Sequence, residues 1–368
     1  MRIALDLPRH ALFWCVRNIA AVAIFVGALL CGALFTPVLA SRATQSVSNT
    51  WTVTIVLPPR LMAGHPATLG VLGVDGKLAA GVPVELGNGL RVTTDRNGRA
   101  LFTVPVSGDY VLAKASGASA AALIDPASGA SEPKSVSLPP VVSVRDRFWI
   151  CGAGLSGDAD ANSVRINGKA AVVLAASPVC VVVLAELNSG TGPASILVQA
   201  PGVQWTAATT LVSLEFAPPR PALQPGQKGQ IAVRVDGTSQ KLRLVVEDGS
   251  PGVLRFEGGD ARGDARRLTT SGGPTNSVEI KVQAITSGDY SLRARLVPTP
   301  DAHTAERFLA AAESLAPEDS RRRVSELASR LAHKPNDLEN VEAALDKIAT
   351  QTMSGDFRTL LDAARGVF

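Results

Sequence analysis

Residues 230–249 read QIAVRVDGTSQKLRLVVEDG, and this stretch decides the fold. Two short runs rich in Val, Ile and Leu, QIAVRV and KLRLVVE, are each followed by an Asp-Gly pair, Asp236-Gly237 and Asp248-Gly249. β-branched side chains fit a pleated, half-buried surface, and Asp-Gly accepts the positive φ that tight hairpins need. The stretch predicts strand, turn, strand, turn.

The same alternation extends in both directions. WTVTIVL from Trp51, GVPVEL from Gly81 and KAAVVLAA from Lys169 are further strand candidates. Asp75-Gly76, Asn97-Gly98 and Asn167-Gly168 supply turns between such runs. No long helical period interrupts residues 51–297, so this region is expected to be all-β, built as sandwiches. An internal echo divides it: Ser107-Gly108-Asp109-Tyr110 precedes VLAKA, and Ser287-Gly288-Asp289-Tyr290 precedes SLRAR. Tyr110 and Tyr290 are the only tyrosines of the chain, each expected to close a module in a corner role.

Family patterns enter with these residues. Gly81-Val82-Pro83-Val84 followed by Thr94-Asp95-Arg96-Asn97-Gly98-Arg99-Ala100-Leu101-Phe102 resembles bacterial Ig-like and carboxypeptidase-regulatory-like domains. Phe148-Trp149-Ile150-Cys151-Gly152-Ala153-Gly154-Leu155, with Ser163-Val164-Arg165-Ile166-Asn167-Gly168, resembles the IPT/TIG type of Ig-like domain. The third segment, residues 216–297, follows only the general Ig-like pattern. These resemblances imply a fold and an extracytoplasmic setting, and they transfer no catalytic residue.

Composition shifts mark the boundaries. Residues 115–140 (ASGASAAALIDPASGASEPKSVSLPP) are rich in Gly and Ser and read as a linker, and the Pro-rich residues 216–225 read as a stiffer junction. After Pro298-Thr299-Pro300 the chain carries 12 acidic and 9 basic residues over 301–368, a net −3. There Val324, Leu327 and Leu331 share a helical face, as do Leu338, Val341, Leu345 and Ile348. Pro317 and Pro335 mark helix starts, Asn336 with Glu339 forms a capping box, and Ser354 is an N-cap candidate. These apolar stripes are to be covered by each other, by a β module or by a partner chain. The expected fold class is mainly β: tandem Ig-like β-sandwiches followed by a small α-helical C-terminal region. The expected division is 1–40 leader, 41–135 first module with linker, 136–215 second, 216–298 third, and 299–368 helical.

The leader is legible in the first forty residues. Arg2, Arg9 and Arg17 precede IAAVAIFVGALLCGALFTPVLA, and Val38-Leu39-Ala40 before Ser41 has the small-x-small form of a cleavage site. An uncleaved anchor is the alternative reading, because about 20 apolar residues also span a bilayer. The predicted localisation is extracytoplasmic: periplasm, cell surface or medium. Cysteine use agrees, since only Cys151 and Cys180 lie beyond the leader and an even pair in an oxidising compartment is expected to bridge.

Charge and motifs restrict function. A net charge of +4 falls to +2 without the leader, and no Lys/Arg cluster is interleaved with aromatics, which excludes nucleic acid. The three histidines beyond the leader, His65, His303 and His333, are isolated in sequence and match no H-x-x-x-H or H-E-x-x-H arrangement. Asp158, Asp160 and Asn162 begin like a calcium loop, but Ser163 and Lys169 stand where that loop needs Gly and Glu. Arg262-Gly263-Asp264 is a bare tripeptide. The expectation is therefore no catalytic residue, no metal and no cofactor. The leading reading is a non-enzymatic exported protein, acting as a spacer or contacting a protein partner through edge strands. Its alternative is glycan binding through Trp51 or Trp205, with Trp149 assigned to the core of its apolar FWIC run.

Overall fold

The computed structural model describes residues 53–368 apart from 88, 128–135, 187–188, 218–222, 251, 260–264, 298–300, 336, 352–354 and 368. The leader, Trp51, the Arg262-Gly263-Asp264 tripeptide, and the capping positions Asn336 and Ser354 lie outside the described residues.

Eight strands form the first assembly: β1 Thr54–Val56, β2 Arg60–Met62, β3 Pro66–Leu72, β4 Pro83–Leu86, β5 Arg91–Thr93, β6 Arg99–Thr103, β7 Tyr110–Ala115 and β8 Ala118–Asp125. β1, β3 and β6 make one sheet, and β2-β8-β7-β4-β5 the facing one. Leu61, Leu69, Val84, Phe102 and Ile124 fill the space between. The Gly/Ser-rich stretch from 115 is corrected here. Ser116 and Gly117 (φ 46° and 81°) make a tight β-hairpin turn, and residues 118–125 pair along the whole length of β7. The composition of a flexible linker and that of a primed turn are the same two residue types.

The second assembly comprises β9 Val141–Ser143, β10 Arg147–Cys151, β11 Ser163–Ile166, β12 Lys169–Ala176, β13 Cys180–Leu184, β14 Gly192–Ala200 and β15 Val203–Ala217. β12 pairs with β11 over Lys169 to Ala171 and with β13 over Val172 to Ala176, with a register shift between Val173 and Ala175 in the second pairing. One strand thus takes part in both sheets.

The third assembly adds β16 Lys228–Asp236, β17 Arg243–Asp248, β18 Leu254–Phe256, β19 Ala265–Thr269, β20 Ser277–Ala284 and β21 Leu292–Leu296. Its sheets are β15-β16-β20-β18 and β19-β17-β21, closed over Ile231, Val233, Leu244, Val246 and Phe256.

The assemblies are fused rather than strung. β15 pairs with β14 over Val203 to Leu211 and with β16 over Ser213 to Ala217, so one strand runs unbroken through position 215/216. The Pro-rich stretch follows that strand. Between the first two assemblies, Val56 packs with Leu174, Ala175 and Val182 in a small core of its own. Beside it, Thr68 Oγ1 donates to Gly157 O at 2.7 Å and accepts from Ala159 N at 3.1 Å. A Cβ on Gly157 would lie 1.8 Å from Pro66 O. We therefore expect Gly157→Ala to cost about 1–3 kcal/mol in chemical denaturation, the usual cost of overpacking. A change within about 0.5 kcal/mol would mean this contact is loose.

Four helices end the chain: α1 Ala302–Leu315, α2 Glu318–His333, α3 Leu338–Gln351 and α4 Asp356–Gly366. Asp301 caps α1 by accepting from Thr304 N at 3.0 Å. The predicted stripe residues Val324, Leu327, Leu331, Val341, Leu345 and Ile348 are all buried. They share a core with Phe308, Leu309, Leu360 and Leu361, and with Leu112 and Leu123 of the first assembly. The helices therefore cover each other and the outer face of β7 and β8. Tyr110, expected to serve a corner, packs on this helical core.

Polar contacts fix that return. Arg307 donates to Asp125 Oδ1 at 2.6 Å and Ile124 O at 2.8 Å, and Arg60 holds the same carboxylate. The Ser119 and Thr359 hydroxyls lie 2.7 Å apart, and Lys114 pairs with Asp356 at 2.5 Å. On the other side, Glu342 of α3 pairs with Arg243 and Arg267 of the third assembly.

Candidate binding site at the module junction

Where the second and third assemblies meet α4, the chain leaves space. A cavity of about 410 Å³ is lined by Asp146, Arg147 and Trp149 from the second assembly and Glu247, Arg293 and Arg295 from the third; Asp362 and Gly366 of α4 also contribute. A second, of about 450 Å³, shares Arg147, Trp149, Asp362 and Gly366 and extends along β1 and β8. Both volumes fall in the range of about 300–1,000 Å³ usual for small-molecule sites, which favour domain interfaces.

Strand geometry explains why Trp149 is here. Along β10, Phe148 and Ile150 point into the core and are 4% and 0% exposed. With a side-chain period of two, Trp149 must face the other way. It is half-buried and walls both cavities, which corrects its assignment to the core. Trp205 instead packs against the core of the second assembly and lies over Gly152.

The wall chemistry is mixed. Arg295 donates through Nε and Nη2 to Glu247 Oε1 at 3.1 and 2.9 Å. Arg293 Nη2 lies 3.3 Å from Asp146 Oδ1. Asp362 is held by Arg358 and Arg365. Among the described residues, the Arg147 guanidinium has no ion-pair partner. Crowding by protein, and then the like charge of Arg293, lowers its pKa against the opposing pull of Asp146, although its side chain opens onto the cavity.

Other sequence candidates fall elsewhere. Cys151 and Cys180 form a disulfide and sit directly opposite each other on β10 and β13. Cys151 exchanges its backbone hydrogen bonds with Ser137, so the cysteine pair occupies a non-hydrogen-bonded site, where side chains approach most closely. We expect Cys180→Ser to lower stability by about 3–4 kcal/mol, the loop-closure value for this separation. An unchanged melting curve would contradict a formed bridge. His65, His303 and His333 are all exposed. The Asp158 loop is satisfied internally: Asp158 Oδ1 accepts from Asp160 N at 3.0 Å, and Asn162 donates to Ser156 O and Asp158 O at 2.8 Å each. Asp160 itself pairs with Arg99 across the first two assemblies. No group of three or more His, Cys, Asp or Glu side chains is gathered as for a metal among the described residues. No helix among them is long and apolar enough to cross a membrane.

The Trp149 cavity escapes sequence reading because its walls come from β9, β10, β17, β21 and α4, with lining residues from Pro139 to Gly366. The period of two in FWIC was the one available signal.

No family model matches the sequence, and no curated protein matches it. Solved structures that match include the extracellular region of plexin A4, at 12% identity over 66% of this chain with a TM-score of 0.24. The chain spans 22% of that plexin's length. A second is the Bacteroides ovatus mixed-linkage glucan utilization locus protein SGBP-B in complex with a mixed-linkage heptasaccharide. It is 12% identical over 65% of this chain and 72% of its own, with a TM-score of 0.24. The I9–I11 tandem of titin is 9% identical over 66% and 95%, with a TM-score of 0.18. Scores this low carry no argument about function.

Proposed function

We propose that this is an exported, non-enzymatic binding protein of the cell envelope or medium, and that its ligand-binding surface is the junction around Trp149. The observation that carries the reading is the pair of adjoining cavities walled by an outward-turned tryptophan and by charged side chains from separate modules. The disulfide supports an oxidising compartment. The first two assemblies are read as a carboxypeptidase-regulatory-like and an IPT/TIG-like module, with boundaries near residues 135 and 215.

Fusion of the modules argues against an extensible spacer, since β15 leaves no flexible segment between the second and third assemblies. Contact with a protein through edge strands has little to work with at β2, β5 and β18, which are three residues each. Short edges are a common way of discouraging strand addition. A preformed cavity, held by rigid elements on several sides, favours a smaller ligand.

The test is retention of envelope-extract components, polysaccharide and protein fractions separately, on immobilised wild type and on the Arg147→Gln/Trp149→Ala double variant. A component held by the wild type and released by the double variant supports the junction as the site. Equal retention by both would move the binding surface elsewhere.

A further inference from the structure

The ligand class follows from the charges on the cavity wall, if the junction is the binding surface as proposed. Three guanidiniums, Arg147, Arg293 and Arg295, face the space beside three carboxylates, Asp146, Glu247 and Asp362. An apolar ligand would bury the Arg147 guanidinium without a partner, which is costly. A divalent cation meets the guanidiniums, and a compact multivalent anion such as a polyphosphate, with charge on every side, meets the carboxylates. The wall suits a polyhydroxylated molecule, whose hydroxyls both donate to carboxylates and accept from guanidiniums. Trp149 offers a ring face against which the C–H face of a sugar can stack.

One cation is left over. Asp146 and Glu247 are occupied by Arg293 and Arg295, and Asp362 by Arg358 and Arg365, while Arg147 has no ion-pair partner among the described residues. A planar guanidinium is matched in geometry by a carboxylate, bound through two parallel N–H···O bonds. We infer that the junction cavity binds an acidic oligosaccharide, with a hexuronate carboxylate on Arg147 and the sugar ring on Trp149. The adjoining cavity along β1 and β8 shares Arg147 and Trp149 and gives the chain of sugars room to continue.

The experiment is a glycan array probed with the full exported chain, carrying neutral oligosaccharides, hexuronate oligosaccharides and the methyl esters of the same hexuronates. Esterification keeps the rings and removes the charge. The expected result is hexuronate binding that falls by about tenfold or more on esterification, a loss equal to one charge-assisted contact. Arg147→Gln is expected to bind acid and ester alike, and Trp149→Ala to lose both. Melting curves of both variants should match wild type, because neither side chain belongs to a core.

Equal binding of acid and ester by wild type overturns the acidic-sugar inference. So does binding of neutral sugars alone, which leaves the junction as a site if Trp149→Ala abolishes it. Absence of any glycan binding also overturns it, while cavity-dependent retention from envelope extract would keep the junction reading intact.

Discussion

Phe308→Ala is expected to destabilise the protein by about 3–5 kcal/mol, the range for removing a fully buried phenylalanine. Phe308 is 2% exposed and lies where the helical core meets Leu112 and Leu123 of the first assembly. Its loss opens a void at the contact that returns the C-terminus to the first sheet, so two cores loosen together. Hydrogen exchange of the β7, β8 and helical amides across a denaturant series measures this. Had the helices packed only on themselves, the first assembly would melt unchanged in the variant. In the arrangement described here, both report the loss in one transition.

The second large effect belongs to Glu342→Ala, expected to cost about 2–3 kcal/mol, since the carboxylate is buried while Arg243 and Arg267 keep part of their surface in water. Glu342 is 7% exposed and takes Arg243 and Arg267 together. Burial lowers the Arg267 pKa to about 10; Asp346 opposes this, and the guanidiniums of Arg365, Arg295 and Arg243 add to it. Without Glu342 these like charges face one another with less compensation. The cost comes from the stranded arginines rather than from the lost bond. Adding Arg267→Met to the Glu342→Ala variant is therefore expected to recover part of it. A double variant no more stable than the single one would refute that account, as would a single variant within about 0.5 kcal/mol of wild type.

Both predictions concern contacts between elements far apart in sequence, and this is where the sequence was least legible. The strands themselves were readable: the runs at Gln230, Lys241 and Lys169 fall on β16, β17 and β12. So were the helical stripes, because periodicity is a local property. The partner of each stripe is not local. Leu112 and Leu123 carry no mark that distinguishes a strand covered on both faces from one covered on a single face.

Two misreadings have the same origin. AAALID in β8 was hidden by alanine and by the Ser-Gly turn before it, although its small side chains are what allow close helix-on-sheet packing. The company of Phe148, Ile150 and Cys151 points Trp149 inward, whereas its position in the alternation places it outward. In both places phase along the strand, and not composition, decides the structure. The candidate site depends on phase together with topology, since Arg293 and Arg295 reach the cavity only because β21 lies beside β9 and β15 in space.

The return of the C-terminal helices to the first sheet places α4 as a wall of both cavities. The most direct test is the Ser119→Cys/Thr359→Cys double variant, whose replaced hydroxyls lie 2.7 Å apart across 240 positions. After mild oxidation, non-reducing peptide mapping should find these two cysteines joined to each other, with Cys151 still joined to Cys180. Two freely alkylated thiols at 119 and 359, beside an intact native bridge, would contradict the return and with it the junction site.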